Sequence, residues 1–121
     1  MKRGLILFAH GARDPRWAEP FERLHDRVRA LRPELATRLA YLELMQPDLP
    51  GAAAELVGNG CSEIRVVPVF LGQGGHVRED LPAIAKSLAQ RYPTVQFSIL
   101  PAAGEDDAVL DALAITCVRG I

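Results

Sequence analysis

Apolar positions recur along this chain in two rhythms, and the rhythms divide it into alternating strands and helices. Gly4 to Ala9 is a continuous apolar run. It is too short to cross a membrane, and it reads as a strand buried on both faces, as at the centre of a parallel sheet. His10-Gly11-Ala12-Arg13-Asp14-Pro15 follows as a loop. Trp17, Phe21, Leu24, Val28 and Leu31 then recur at spacings of four, three, four and three, one apolar stripe on a helix that Pro33 ends. Leu35 to Leu44 alternates and predicts a second strand. Asp48 is placed to cap a helix that has Pro50 in its first turn and runs to about Gly58.

Glu63 to Leu71, rich in β-branched residues, predicts the third strand, which breaks into Gly72-Gln73-Gly74-Gly75 and then His76. Asp80 reads as the N-cap of the next helix, with Pro82 in its first turn. Val95 to Leu100 predicts a fourth strand, and Asp106 to Val118 a helix with Val109, Leu110, Leu113 and Cys117 on one side. The order βαβαβαβα implies an α/β fold: a single three-layer domain over residues 1–121, a four-stranded, mainly parallel sheet with helices on both faces. So small a sheet leaves an edge that needs a partner.

Composition narrows the classes. A length of 121 residues suits one domain. A net charge of -1 gives no electrostatic case for nucleic acid, and no run approaches the roughly 20 apolar residues of a membrane span. Lys2 and Arg3 precede a short apolar run that meets His10-Gly11 without a cleavage site, a poor signal peptide. Cys61 and Cys117 form no CxxC pair and are expected as reduced, partly buried thiols. The cytoplasm is the expected location.

In a parallel sheet, His10, Glu43 and His76 all fall at the carboxyl ends of strands, where α/β proteins collect ligands. Two imidazoles and a carboxylate suit Fe²⁺, Co²⁺, Ni²⁺ or Zn²⁺. They also suit proton transfer near neutral pH. Blander roles stand beside these: His10 hydrogen-bonding its own loop, Glu43 as a solvated edge carboxylate. His25, on the polar face of the first helix, reads as a surface residue. Backbone N–H groups of the glycine loop can hold an anion. The loop is neither a P-loop nor a dinucleotide fingerprint. Arg13, Arg16 and Arg78 flank the histidine loops and are placed either to attract an acidic ligand or simply to meet solvent.

Three blocks together carry a family resemblance. Leu5-Ile6-Leu7-Phe8-Ala9-His10-Gly11-Ala12-Arg13-Asp14, then Tyr41-Leu42-Glu43-Leu44 with Pro47, then Pro68-Val69-Phe70-Leu71 through Gly75-His76 to Asp80-Leu81-Pro82, resemble the small CbiX-type sirohydrochlorin chelatases, class II tetrapyrrole chelatases with a chelatase-like (flavodoxin-like) fold. The resemblance implies insertion of Co²⁺ or Fe²⁺ into sirohydrochlorin, towards cobalamin or siroheme, with no organic cofactor and the metal as substrate. It implies His10 as metal ligand and proton acceptor, His76 as second ligand, and Glu43 as a metal- or proton-binding carboxylate. Leu71, Gly72, Gln73, Gly74 and Gly75, with Arg13, would meet the macrocycle. A unit of this size implies a homodimer that encloses the cleft, and nickel insertion belongs to some archaeal relatives. The chain departs from the pattern at Ala12, where the family usually has Ser, and it lacks the His-rich segment of some small members. The rival readings are a non-enzymatic tetrapyrrole- or metal-binding protein of the same fold, and a small α/β domain that binds a phosphorylated ligand at the glycine loop.

Overall fold

The computed structural model describes residues 2–121, with the side chain of His76 outside the described set. Strands β1 (Arg3–Ala9), β2 (Ala36–Tyr41), β3 (Glu63–Pro68) and β4 (Gln96–Ile99) alternate with helices α1 (Glu19–Leu31), α2 (Leu49–Gly58), α3 (Gly75–Arg91) and α4 (Asp107–Val118). The four strands form one sheet in the order β2-β1-β3-β4, and every pairing is parallel. The expected α/β class is therefore observed, with the parallel sheet complete rather than partial.

Alternation along the strands separates two faces. Ile6, Phe8, Ala40, Ile64 and Val66 point to one face and are buried against Leu49, Ala53 and Leu56 of α2 and Val77, Leu81 and Leu88 of α3. Burying the nine larger of these side chains contributes about 1.5–3 kcal/mol each and makes this the principal core. On the opposite face α1 covers the β1–β2 side, where Ala9 and Tyr41 pack with Trp17, Ala18 and Phe21. Leu31, expected at the end of the α1 stripe, is exposed.

Three local readings are corrected. Strand β2 ends at Tyr41, short of Leu44, because the chain turns sharply after Glu43. Strand β3 likewise ends at Pro68, short of Leu71. Helix α3 begins at Gly75 with Gly74 as its N-cap, five residues before Asp80, and Pro82 lies inside it. Pro82 removes the N–H that would bond the Arg78 carbonyl, and its exposed position lets water take that carbonyl instead. The α2 start matches the sequence: Asp48 accepts a hydrogen bond from Gly51 N at 2.8 Å. Cys61 is buried, but Cys117 is exposed rather than partly buried. His25 is half-buried rather than a surface residue, its Nε2 lying 2.8 Å from the buried Thr37 hydroxyl.

Candidate functional site at the carboxyl edge of the sheet

The β1–β2 ladder does not stop where the strands do. Leu42 N donates to Ala9 O at 2.9 Å, and Glu43 N donates to His10 O at 3.0 Å. These bonds clamp the His10 and Glu43 loops side by side at the carboxyl edge. The clamp requires Gly11. Its φ is +97°, and a Cβ there would stand 1.8 Å from the Glu43 carbonyl oxygen. Neither the dihedral nor the space admits another residue.

Glu43 is followed by strain. Met45 N donates back to Glu43 O at 2.8 Å across Leu44, whose φ is 65°. This is a γ-turn of the positive-φ kind, rare for a residue with a branched side chain. Such strain persists only where the surroundings enforce it, and it concentrates at functional sites. The loop then folds back, with Pro47 O accepting from Tyr41 N at 2.9 Å. Glu43 itself is exposed.

The His10 ring rests on Phe70, with centroids 4.4 Å apart, and Phe70 in turn meets the buried Phe8 ring edge-on at 6.4 Å. Phe70 is fixed from the other side. Its carbonyl accepts from Gly104 N at 3.1 Å, and Gly104 lies so close to Leu71 that a Cβ would come within 2.0 Å of the Leu71 oxygen. A chain of contacts thus runs from the turn after β4, through Phe70, to the His10 imidazole.

The electrostatics of the flanking loop are local. Asp14 accepts from Arg16 N at 2.9 Å and takes the Arg16 guanidinium at 2.7 Å, which holds its carboxyl below the usual carboxylate range. Arg16 is therefore occupied within its own loop, whereas Arg13 and Arg78 stand exposed. Burial, followed by the charge of Glu22, raises Tyr41 above the ordinary phenol range, so it stays protonated beside the site.

The glycine loop differs from Gly11 and Gly104. Gly72, Gly74 and Gly75 have no positive φ, and a Cβ on any of them would meet nothing within 4 Å. The fold itself does not need these glycines. Gly74 caps α3 without a side-chain bond, so the first N–H groups of the helix open directly on the loop. Leu71 is exposed and Gln73 half-buried beside them.

Of the expected trio, the structure brings the His10 and Glu43 loops together by backbone pairing. It places His76 second in α3, which begins at Gly75, rather than in the loop before the helix, and the His76 side chain lies outside the described residues. Among the described residues, no three His, Cys, Asp or Glu side chains gather as a metal cage. Sequence reasoning missed Phe70 and Gly104 as site residues. Phe70 passed for an ordinary strand position, and Gly104 for a turn. A cavity of about 170 Å³ lined by Phe8, Tyr41, Leu42 and Ile84 lies near this edge. A larger one, of about 370 Å³, lies at the amino-terminal half of the strands, away from these groups. The imidazole, the carboxylate and the α3 N-terminus lie at the carboxyl edge, not at the larger cavity. No helix is long and apolar enough to cross a membrane among the described residues.

Parallel α/β sheets commonly collect their ligands at the carboxyl ends of the strands, where these groups lie. The chain belongs to the CbiX family, whose model it matches over residues 4–117. It is 31% identical over 83 residues to the sirohydrochlorin cobaltochelatase of Methanosarcina acetivorans, a match covering 69% of this chain and 64% of that one. It is 26% identical over 113 residues to the sirohydrochlorin ferrochelatase of Bacillus subtilis, covering 93% of this chain and 43% of that one. Among solved structures, a CbiX protein of Marinobacter aquaeolei VT8, named for cobalamin (vitamin B12) biosynthesis, superimposes with a TM-score of 0.83. It is 32% identical, and the match covers 95% of this chain and 93% of that one. The chain thus spans just under two thirds of the archaeal relative and less than half of the Bacillus enzyme.

Proposed function

We propose that this protein is a sirohydrochlorin metal chelatase that inserts Co²⁺ or Fe²⁺ as a homodimer in the cytoplasm. The observation that carries the reading is the backbone clamp between the His10 and Glu43 loops, in a chain whose family relatives are named for this chemistry. The divalent ion is a substrate. Imidazole and carboxylate are suitable donors for it, and both side chains can accept a proton.

The reaction balances as M²⁺ entering and two pyrrole N–H protons leaving. In this reading, His10 and His76 hold the ion, and His10 or Glu43 accepts the protons. Phe70 keeps the His10 ring in one orientation, which limits the reorganisation needed at the moment of transfer. Sirohydrochlorin carries several carboxylates. The uncapped N–H groups at Gly74 and Gly75, and the exposed Arg13, suit them. Gly72 and Gly74, required neither by dihedral nor by self-packing, leave space for the edge of a flat macrocycle along Leu71 to Gly75.

The test is anaerobic absorption spectroscopy of sirohydrochlorin with Co²⁺ or Fe²⁺. Acceleration over the spontaneous reaction is expected. His10→Ala and His76→Ala should each lower it by about 10²-fold or more, the usual scale for a lost acid–base group. Wild-type rates in both variants would refute the site. Binding without acceleration would favour a carrier of the same fold.

A further inference from the structure

Leu44 breaks a local rule at a place where obeying it would be easy. Its φ is 65°, and the other described residues with a positive φ, Gly11, Gly60 and Gly120, are all glycines. Glycine enters this region freely, whereas a residue with a Cβ is confined to a small, strained part of it. Core packing does not hold Leu44 there, because the residue is 60% exposed. A strained, exposed leucine where glycine would fit comfortably points to a role beyond the fold.

The role lies one residue back. The backbone of Glu43 is pinned on both sides: its N–H donates to His10 O at 3.0 Å, and its carbonyl accepts from Met45 N at 2.8 Å across Leu44. Gly11 lies against that same carbonyl, so close that a Cβ would stand 1.8 Å from the oxygen. Tyr41 N, donating to Pro47 O at 2.9 Å, closes the loop behind the turn. The Glu43 side chain is the opposite case. It is exposed and makes no hydrogen bond or ion pair among the described residues. The carboxylate therefore takes its position from its backbone alone, and the freedom of the next residue becomes its own freedom.

We propose that Leu44 is a positioning residue: by restricting its own backbone, and not through any contact of its side chain, it fixes Glu43 beside the His10 loop. This deepens the proposed function and rests on it. The strain is present in the resting protein, so the carboxylate is already in place when the metal and macrocycle arrive.

Two substitutions separate backbone from side chain. Leu44→Gly removes both the restriction and the apolar surface, while Leu44→Ala removes the surface and keeps a Cβ. Leu44→Gly should hold or raise the melting temperature, because glycine relieves the positive φ. Its kcat for anaerobic metallation of sirohydrochlorin should still fall about 10-fold or more, with KM within about twofold, because a loosened carboxylate loses its alignment. Leu44→Ala should recover most of that loss. Amide hydrogen exchange gives a reading that does not depend on turnover. The Met45 and Glu43 N–H groups should exchange about 10-fold faster or more in Leu44→Gly, and close to the wild-type rate in Leu44→Ala. A wild-type kcat in Leu44→Gly would refute the positioning role. Equal losses in the two variants would also refute it, and would make the exposed side chain a contact for the macrocycle. A wild type that fails to accelerate metallation would overturn the proposed function, whereas unchanged exchange in Leu44→Gly would overturn the positioning role whatever the chemistry.

Discussion

At the scale of single residues, Gly11 and His25 make opposite points. Gly11 is irreplaceable on two counts, its positive φ and the 1.8 Å approach of the Glu43 carbonyl to any Cβ. Gly11→Ala should therefore cost about 2 kcal/mol or more in denaturant unfolding and separate the His10 and Glu43 loops. Urea titration beside a metallation assay checks both. His25 is held neutral, its pKa lowered first by burial and then by the charge of Arg29. The unfolded chain takes up this proton near pH 6.5, above the folded value. The stability from neutral His25 is present above pH 6.5 and is lost as pH falls below it. His25→Gln, which keeps a partner for Thr37, should flatten the decline in melting temperature between pH 7 and 5. An unchanged slope would show that other groups set it.

At the scale of elements, the two loops that follow β3 and β4 carry glycines of different kinds. Gly104→Ala drives a Cβ into the Leu71 backbone and should destabilise by about 2 kcal/mol. Gly72→Ala and Gly74→Ala meet open space and should leave stability within about 1 kcal/mol, or raise it slightly by restricting the unfolded chain. On the proposed function their effect falls on sirohydrochlorin instead, as a higher KM with little change in melting temperature. Steady-state kinetics beside thermal unfolding separates the two kinds. Phe70→Leu removes the ring beneath His10 while keeping an apolar side chain. It should lower kcat more than it alters folding.

At the scale of the whole molecule, Leu110, Leu113, Ile115 and Val118 of α4 are exposed apolar surface that a partner would bury. In the proposed homodimer folding is coupled to association, and the melting temperature should rise with protein concentration. Calorimetry over a hundredfold range of concentration checks this. A concentration-independent transition would mean that each chain melts alone.

The sequence by itself determined the strand order along the chain, the α/β class, the Asp48 cap and the positions of His10 and Glu43 just past strand ends; His76, read as a loop residue, falls inside α3. These follow from local signals: continuous apolar runs, a helical stripe and a capping side chain, each contained within a few residues. Tertiary structure alone decided the rest. The β2 end was illegible because Leu42 and Leu44 continue the apolar alternation, while the γ-turn that breaks it is enforced by the neighbouring His10 loop. The α3 start was misplaced because Asp80 and Pro82 imitate a helix opening, and Gly74 gives no side-chain signal. The partners of His25 and Phe70 lie 12 or more residues away from, or across the sheet to, the groups they touch. Helix α4 is the clearest case. Its apolar residues read as a buried face in the sequence, yet none is buried in the chain, because local pattern records that apolar groups are to be covered and not by what.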